Sequence, residues 1–118
     1  MLGISHNQRA FVFAFPVDMR KGFDGLSSLV FKSFGMKLFD GNMFVFISRN
    51  RKRAKVLYWD GTGICILAKR MEQGKLSAPW RSDNKEPFSI TMSELSLLLE
   101  GNELVGHIPF SPSSFSLK

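Results

Sequence analysis

Apolar residues along this chain recur at two different periods, and the change from one to the other divides it into elements. Arg9 to Phe15 is dense in Phe and Val and stops at Pro16, the pattern of a first strand. From Asp18 to Phe34 the spacing lengthens. Met19, Phe23, Leu26, Val30 and Phe34 lie three to four residues apart or at multiples of that spacing, which predicts a helix with one buried face. Asp18 suits the cap of that helix, and Gly35 suits the left-handed position just past its end. Asp40-Gly41-Asn42 reads as a turn, and Met43 to Ser48 as a strand. Two further strands, Lys55 to Trp59 and Ile64 to Lys69, are joined by the tight hairpin Asp60-Gly61-Thr62-Gly63. Arg70 to Lys75 turns again, and Leu76 to Trp80 adds a short edge segment. Thr91-Met92-Ser93-Glu94 has the form of a capping box, with Thr91 at the cap and Glu94 three residues on. Leu95, Leu98 and Leu99 give that second, short helix its apolar face, and Gly101 stops it. The expected class is α+β: a small antiparallel sheet, a meander of about four strands, with one longer and one short helix.

Length bounds the organisation. A chain of 118 residues is one domain with a modest core, here expected over about 9–101. Residues before Arg9 read as a short lead-in, and the Ser/Pro-rich stretch 109–118 as a flexible tail. An apolar content of 44% and a mean hydropathy of −0.02 are those of a globular protein. The single cysteine, Cys65, excludes an internal disulfide and a Cys-rich zinc site, and points to a reducing, cytoplasmic setting. No apolar run approaches the length of about eighteen residues that crosses a bilayer. No basic amphipathic helix offers itself to a membrane surface either.

Charge adds a direction. The net charge is +6 and the sequence pI about 9.8, a balance that favours acidic partners such as nucleic acid. Five of the seven residues from Arg49 to Lys55 are cationic: Arg49, Arg51, Lys52, Arg53 and Lys55. They stand between two strand-like runs, so a rigid frame would present them together to phosphates. The plain alternative is a solvated hairpin tip. Arg20 and Lys21 form a second cluster, placed in the first turn of the predicted helix, where the helix dipole disfavours cations. Gly22 and Gly25 follow at a cost in helix propensity. One reading is an anion site at the helix start. The other is a tight helix crossing, with Arg20 paired to Asp24. Tyr58 and Trp59 point to opposite faces of their strand, so one of them is left to cover a core edge or to stack on a base.

Catalysis finds little support. Ten acidic residues are spread along the chain, with no pair at a spacing that demands a metal. His6 and His107 lie in terminal segments without a partner pattern, and Cys65 reads as a small core residue. No glycine-rich nucleotide loop is present. The expectation is a protein that is not an enzyme and needs no cofactor or metal.

The segment from Pro16 to Leu26, with its Asp18-Met19-Arg20-Lys21-Gly22-Phe23-Asp24-Gly25 run, resembles the signature of the TnpB-type accessory proteins of insertion sequence 66 elements in bacteria. So do Phe44-Val45-Phe46, Arg49-Asn50-Arg51, Lys55-Val56-Leu57-Tyr58-Trp59-Asp60-Gly61 and Lys69-Arg70-Met71-Glu72-Gln73-Gly74. Ile90-Thr91 and Leu97-Leu98-Leu99-Glu100-Gly101 complete the ordered set, which spans about 9–101. The loosely patterned stretch 81–89 and the Ser/Pro tail are not part of it. The resemblance implies a small protein encoded beside a separate, larger transposase and needed with it; it carries over no catalytic residues. The expected partners are therefore mobile-element DNA, held mainly by its phosphates, and the transposase of the same element. An adaptor that docks on the transposase without touching DNA is the alternative.

Overall fold

Met43–Ile47 (β2) is buried at every one of its five positions, so both faces of this strand must be covered. A half-exposed strand would show alternation instead. The architecture follows from that requirement. The computed structural model describes residues 8–35, 40–80 and 86–101. In it β2 is the middle of a five-stranded sheet with one helix on each face. The elements are β1 (Ala10–Val12), α1 (Phe23–Phe34), β2, β3 (Arg53–Trp59), β4 (Ile64–Arg70), β5 (Phe88–Ile90) and α2 (Met92–Glu100), and the strand order is β4-β3-β2-β1-β5.

The class is α+β as expected, but the sheet is mixed and not a four-stranded meander. β1 runs parallel to β2, with Phe11 opposite Phe44, while the other three pairings are antiparallel. A parallel neighbour needs a crossover, and α1 supplies it. The fifth strand, β5, pairs Ala10 with Ile90 and Val12 with Phe88 at the far edge. It is only three residues long and follows Pro87, too short to show a period. The expected edge segment at Leu76 to Trp80 forms no strand. It is instead a buried wrap: Leu76 is fully enclosed and its N–H donates to Arg51 O at 2.8 Å.

Alternation then sorts the core. Phe13, Phe44, Phe46 and Leu57 face α1, where Leu26 and Val30 close the cluster. The Phe13 and Phe46 rings lie 4.7 Å apart, and Phe34 packs within 5.4 Å of Phe11, Phe13 and Phe44. Such pairs add about 0.5–1.5 kcal/mol each beyond area burial. Val12, Val45, Ile47 and Val56 face the other way, against Leu95 of α2, Met71 and Leu76. The Thr91–Glu94 capping box is present in both directions, at 2.8 and 3.1 Å. His6, His107 and the tail 109–118 lie outside the described residues. Among the described residues no helix is long and apolar enough to cross a membrane.

Candidate nucleic-acid interface

The basic turn is built by Ser48 and Asn50. Ser48 N–H donates to Arg53 O and Arg51 N–H to Ser48 O, closing the connection between β2 and β3. The Ser48 hydroxyl donates to Asn50 Oδ1 and accepts from Arg53 N–H, while Asn50 Oδ1 also accepts from Lys52 N–H at 3.0 Å. Arg51 takes φ 62°, a left-handed conformation that non-glycine residues adopt at a cost of about 1–3 kcal/mol. The tip that carries the cations is therefore a fixed frame.

Register then sets where each cation goes. In the β3–β4 ladder Arg53 stands directly opposite Arg70, and Lys55 opposite Ala68. Met71 N–H donates to Lys52 O and Asp60 N–H to Gly63 O, so the hydrogen-bonded pairs are those around Arg53–Arg70 and not that pair itself. Opposed residues of a non-hydrogen-bonded pair are the closest in an antiparallel sheet, about 4.5 Å between Cα atoms. Two arginines so placed, on one face, repel each other, and Glu72 offsets part of that by accepting from Arg70 Nε at 2.9 Å. Arg70 is thus a candidate site residue that the basic run alone did not reveal. Its signal lay in the symmetry of the Asp60–Gly63 hairpin, which carries Arg53 onto Arg70.

Lys55 joins the second cluster to the first. Its Nζ donates to Met19 O at 2.8 Å and Lys21 O at 2.9 Å, drawing the segment before α1 across the end of the sheet. Those carbonyls are turned away from helical acceptance, and α1 begins only at Phe23 with Gly22 as its cap. Arg20 and Lys21 accordingly precede the helix and do not lie in its first turn. Asp18 caps a turn instead: its Oδ1 accepts Arg20 N–H at 2.9 Å and its backbone oxygen accepts Lys21 N–H. Arg20 pairs with Asp18 at 2.7 Å and not with Asp24. That guanidinium and the Arg20 N–H hold the Asp18 carboxyl well below the usual carboxylate range. With the Arg20 side chain 92% exposed, the pair is solvent-screened and leaves the guanidinium accessible.

Two depressions share this surface. One, of about 650 Å³, lies between Pro16–Met19 and the turn, and is lined by Asp18, Arg49, Asn50 and Arg53. The other, of about 400 Å³, is lined by Met19, Arg53, Lys55, Lys69, Arg70 and Glu72. Met19 and Arg53 border both, so the two run together. Arg51 and Lys52 sit where the 71–76 loop crosses the turn: Leu76 N–H donates to Arg51 O and Met71 N–H to Lys52 O. Of the seven expected site residues, Arg49, Arg53 and Lys55 line the grooves, Arg20 and Lys21 lie on the segment that Lys55 holds, and Arg51 and Lys52 sit under the 71–76 loop.

Such a surface can hold an extended anion. Among the described residues no group of three His, Cys, Asp or Glu could hold a metal ion. Cys65 is half-buried and not a core residue. Burial and the Asp60 carboxylate, 3.5 Å from its sulfur, push the thiol up. Asp60 itself is held down by Thr62 and Gly63 N–H groups, which close the hairpin.

A sequence profile described as IS66 Orf2 like protein, TnpB of the IS66 elements, matches residues 8–107. The chain belongs to the IS66 Orf2-like family. Two relatives in Sinorhizobium fredii (strain NBRC 101917 / NGR234), the uncharacterized proteins y4jC and y4hO, are each 35% identical over 101 residues. That stretch is 86% of this chain and 85% and 86% of theirs. No solved structure matches the chain. Membership makes this IS66 Orf2-like protein a transposition-associated accessory protein. The match runs through both basic clusters and both helices.

Proposed function

We propose that this IS66 Orf2-like protein is a non-enzymatic accessory protein that grips DNA through its phosphates during transposition in the cytoplasm. The observation that carries the reading is the Arg53–Arg70 cross-strand pair, which lines one groove with Lys55 and Glu72 while Arg53 also lines the adjoining one with Arg49; Lys55 holds the Arg20–Lys21 segment nearby. Like charges opposed on a sheet cost stability, and a bound phosphate would turn that cost into attraction. Arg49, Arg53, Arg70, Lys21 and Arg20 are the contacting groups. Lys55, with two N–H bonds spent on backbone carbonyls, positions the Arg20–Lys21 segment; Arg51 and Lys52 contribute from the flank. No base-reading element enters the argument, so contact is to the backbone and sequence preference is weak.

Titrating fluorescent duplex across salt concentrations tests this. Affinity should fall on a log–log plot with a slope of about −0.9 per phosphate neutralised. Arg53→Ala with Arg70→Ala should flatten that slope by about 2 while leaving the fold intact, since both side chains are exposed. Salt-independent binding, or a slope unchanged in the double variant, would overturn the proposal. The adaptor reading keeps one specific support: Phe23 and Phe31 of α1 are 53% and 59% exposed. It requires co-purification with the transposase after nuclease treatment, lost in Phe23→Ser with Phe31→Ser.

A further inference from the structure

β4 ends the sheet, and among the described residues no strand pairs with its outer edge. The hydrogen-bonded pairs of the β3–β4 ladder fall at Tyr58–Cys65, Val56–Leu67 and Ala54–Lys69, in phase with Asp60–Gly63 and Lys52–Met71. Cys65, Leu67 and Lys69 therefore spend their backbone groups inward on β3. The N–H and C=O groups of Ile64, Ile66, Ala68 and Arg70 point outward, and among the described residues none of them meets a strand. Natural edges are blunted by shortness, proline, bulges or central charges. This one has seven residues, no proline, no bulge in its register and an apolar middle, Ile64-Cys65-Ile66-Leu67-Ala68. Leu67 is 48% exposed and borders an apolar groove of about 500 Å³ between the sheet and α2, shared with Tyr58, Met92 and Leu99.

We infer that β4 pairs antiparallel with β4 of a second copy, joining two sheets into one of ten strands about a two-fold axis at Leu67. The strand is complementary to itself in that register. Ile66 and Ala68 of one copy exchange their outward backbone bonds with Ala68 and Ile66 of the other, as do Ile64 and Arg70. Leu67 meets Leu67 in the close, non-hydrogen-bonded position, on the face of the apolar groove. The cations fall apart: Lys69 lies opposite Cys65, whose sulfur adjoins the Asp60 carboxylate, and Arg70 lies opposite Ile64. No like charges are opposed across the seam, and each Lys69 Nζ donates to Leu99 O of its own protomer at 2.6 Å. A partner running parallel would set Lys69 and Arg70 beside their own counterparts. The axis is perpendicular to the sheet, so both copies show their α1 faces, with Arg53 and Arg70, on the same side. The pairing rests on the edge alone and stands whether or not that face binds DNA.

Light scattering on the full chain, over a wide concentration range, should give twice the 13.4 kDa chain mass. Ala68→Pro removes an N–H that the protomer itself does not use, and Leu67→Lys sets two charges at the axis. Each should halve the mass while keeping the far-UV circular dichroism of the parent. Leu67→Cys in a Cys65→Ser background should form a covalent dimer under mild oxidation, because a Cα separation of about 4.5 Å suits a disulfide. That cross-link decides the matter if the proline variant fails to fold. A monomeric mass at every concentration overturns the inference. So does a dimer that survives both edge substitutions, or the absence of the Leu67→Cys cross-link.

Discussion

Asp18 is the residue on which the basic surface turns. Its carboxylate sits at the rim of the groove lined by Arg49 and Arg53 and is chelated by Arg20 through both oxygens. It orders the Arg20–Lys21 segment, yet it is also an anion where another anion would bind. For DNA the second effect dominates, because the ordering is shared with Lys55, which independently ties down Met19 and Lys21. Asp18→Asn keeps the acceptor for Arg20 N–H and removes the charge. It should tighten duplex binding by about two- to fivefold at low salt, with the gain fading as salt screens it. The pH dependence has a definite sign. A carboxylate with a depressed pKa keeps its folded-state contribution above the ordinary value and loses it only as the pH falls through the lower one. Between about pH 7 and about pH 4 Asp18 stays ionised, so the affinity ratio of variant to parent should be flat across that window, which reaches the ordinary carboxylate value. A ratio that falls about halfway to unity by about pH 4 would show a carboxyl with an ordinary pKa and no lasting pair with Arg20.

Among the elements, those whose ends are set by local chemistry were legible from sequence, and those set by distant contacts were not. The capping box of α2 was plain because Thr91 and Glu94 satisfy each other's backbone within four residues. Thr91→Ala should cost about 1 kcal/mol, read as a lowered denaturation midpoint with unchanged slope. Gly101 was expected to stop the helix, and the structure adds a second reason for it. Its φ is 73°, and a Cβ there would fall 2.5 Å from Met71 Cε and 3.1 Å from Lys75 O. The flexible methionine can move, but the backbone oxygen cannot, so Gly101→Ala should cost at least about 1 kcal/mol. The start of α1 misled for the opposite reason. Asp18 is a good cap and Met19 continues the apolar period, but Lys55, thirty-four residues from Lys21, captures the carbonyls that the first turn would need. Phe23 shows the same limit, in phase with the buried face yet 53% exposed. The parallel β1–β2 pairing is likewise a fact of distant contacts, whereas the Arg53–Arg70 opposition could be counted out from the Asp60–Gly63 hairpin. Periodicity marks a strand and its faces, but it does not name the neighbour.

On the scale of the whole molecule the sheet separates two surfaces. Its α1 side carries Arg53, Lys55 and Arg70 with the Arg20–Lys21 segment drawn over them; its other side carries α2 and the apolar groove bounded by Tyr58, Leu67 and Leu99. The cations of the α1 side thus lie where phosphates could meet them, and the same frame fixes both sides. β2, buried on both faces, stands between the basic turn and most of α2, and the 71–76 loop that bonds the turn meets α2 at its end, beside Gly101. Binding by the basic face should therefore leave a bounded footprint in amide hydrogen exchange. Duplex DNA should slow exchange in the Ser48–Arg53 turn and in residues 18–22, whose N–H groups lie in exposed turns and open with low free energy. Exchange in α2 should be unchanged, apart from the small uniform slowing that any ligand selective for the folded state produces. Protection centred on α2 and Leu67, with the basic turn unaffected, would move the DNA or its carrier to the other side of the sheet. That outcome would leave the Arg53–Arg70 repulsion without a function.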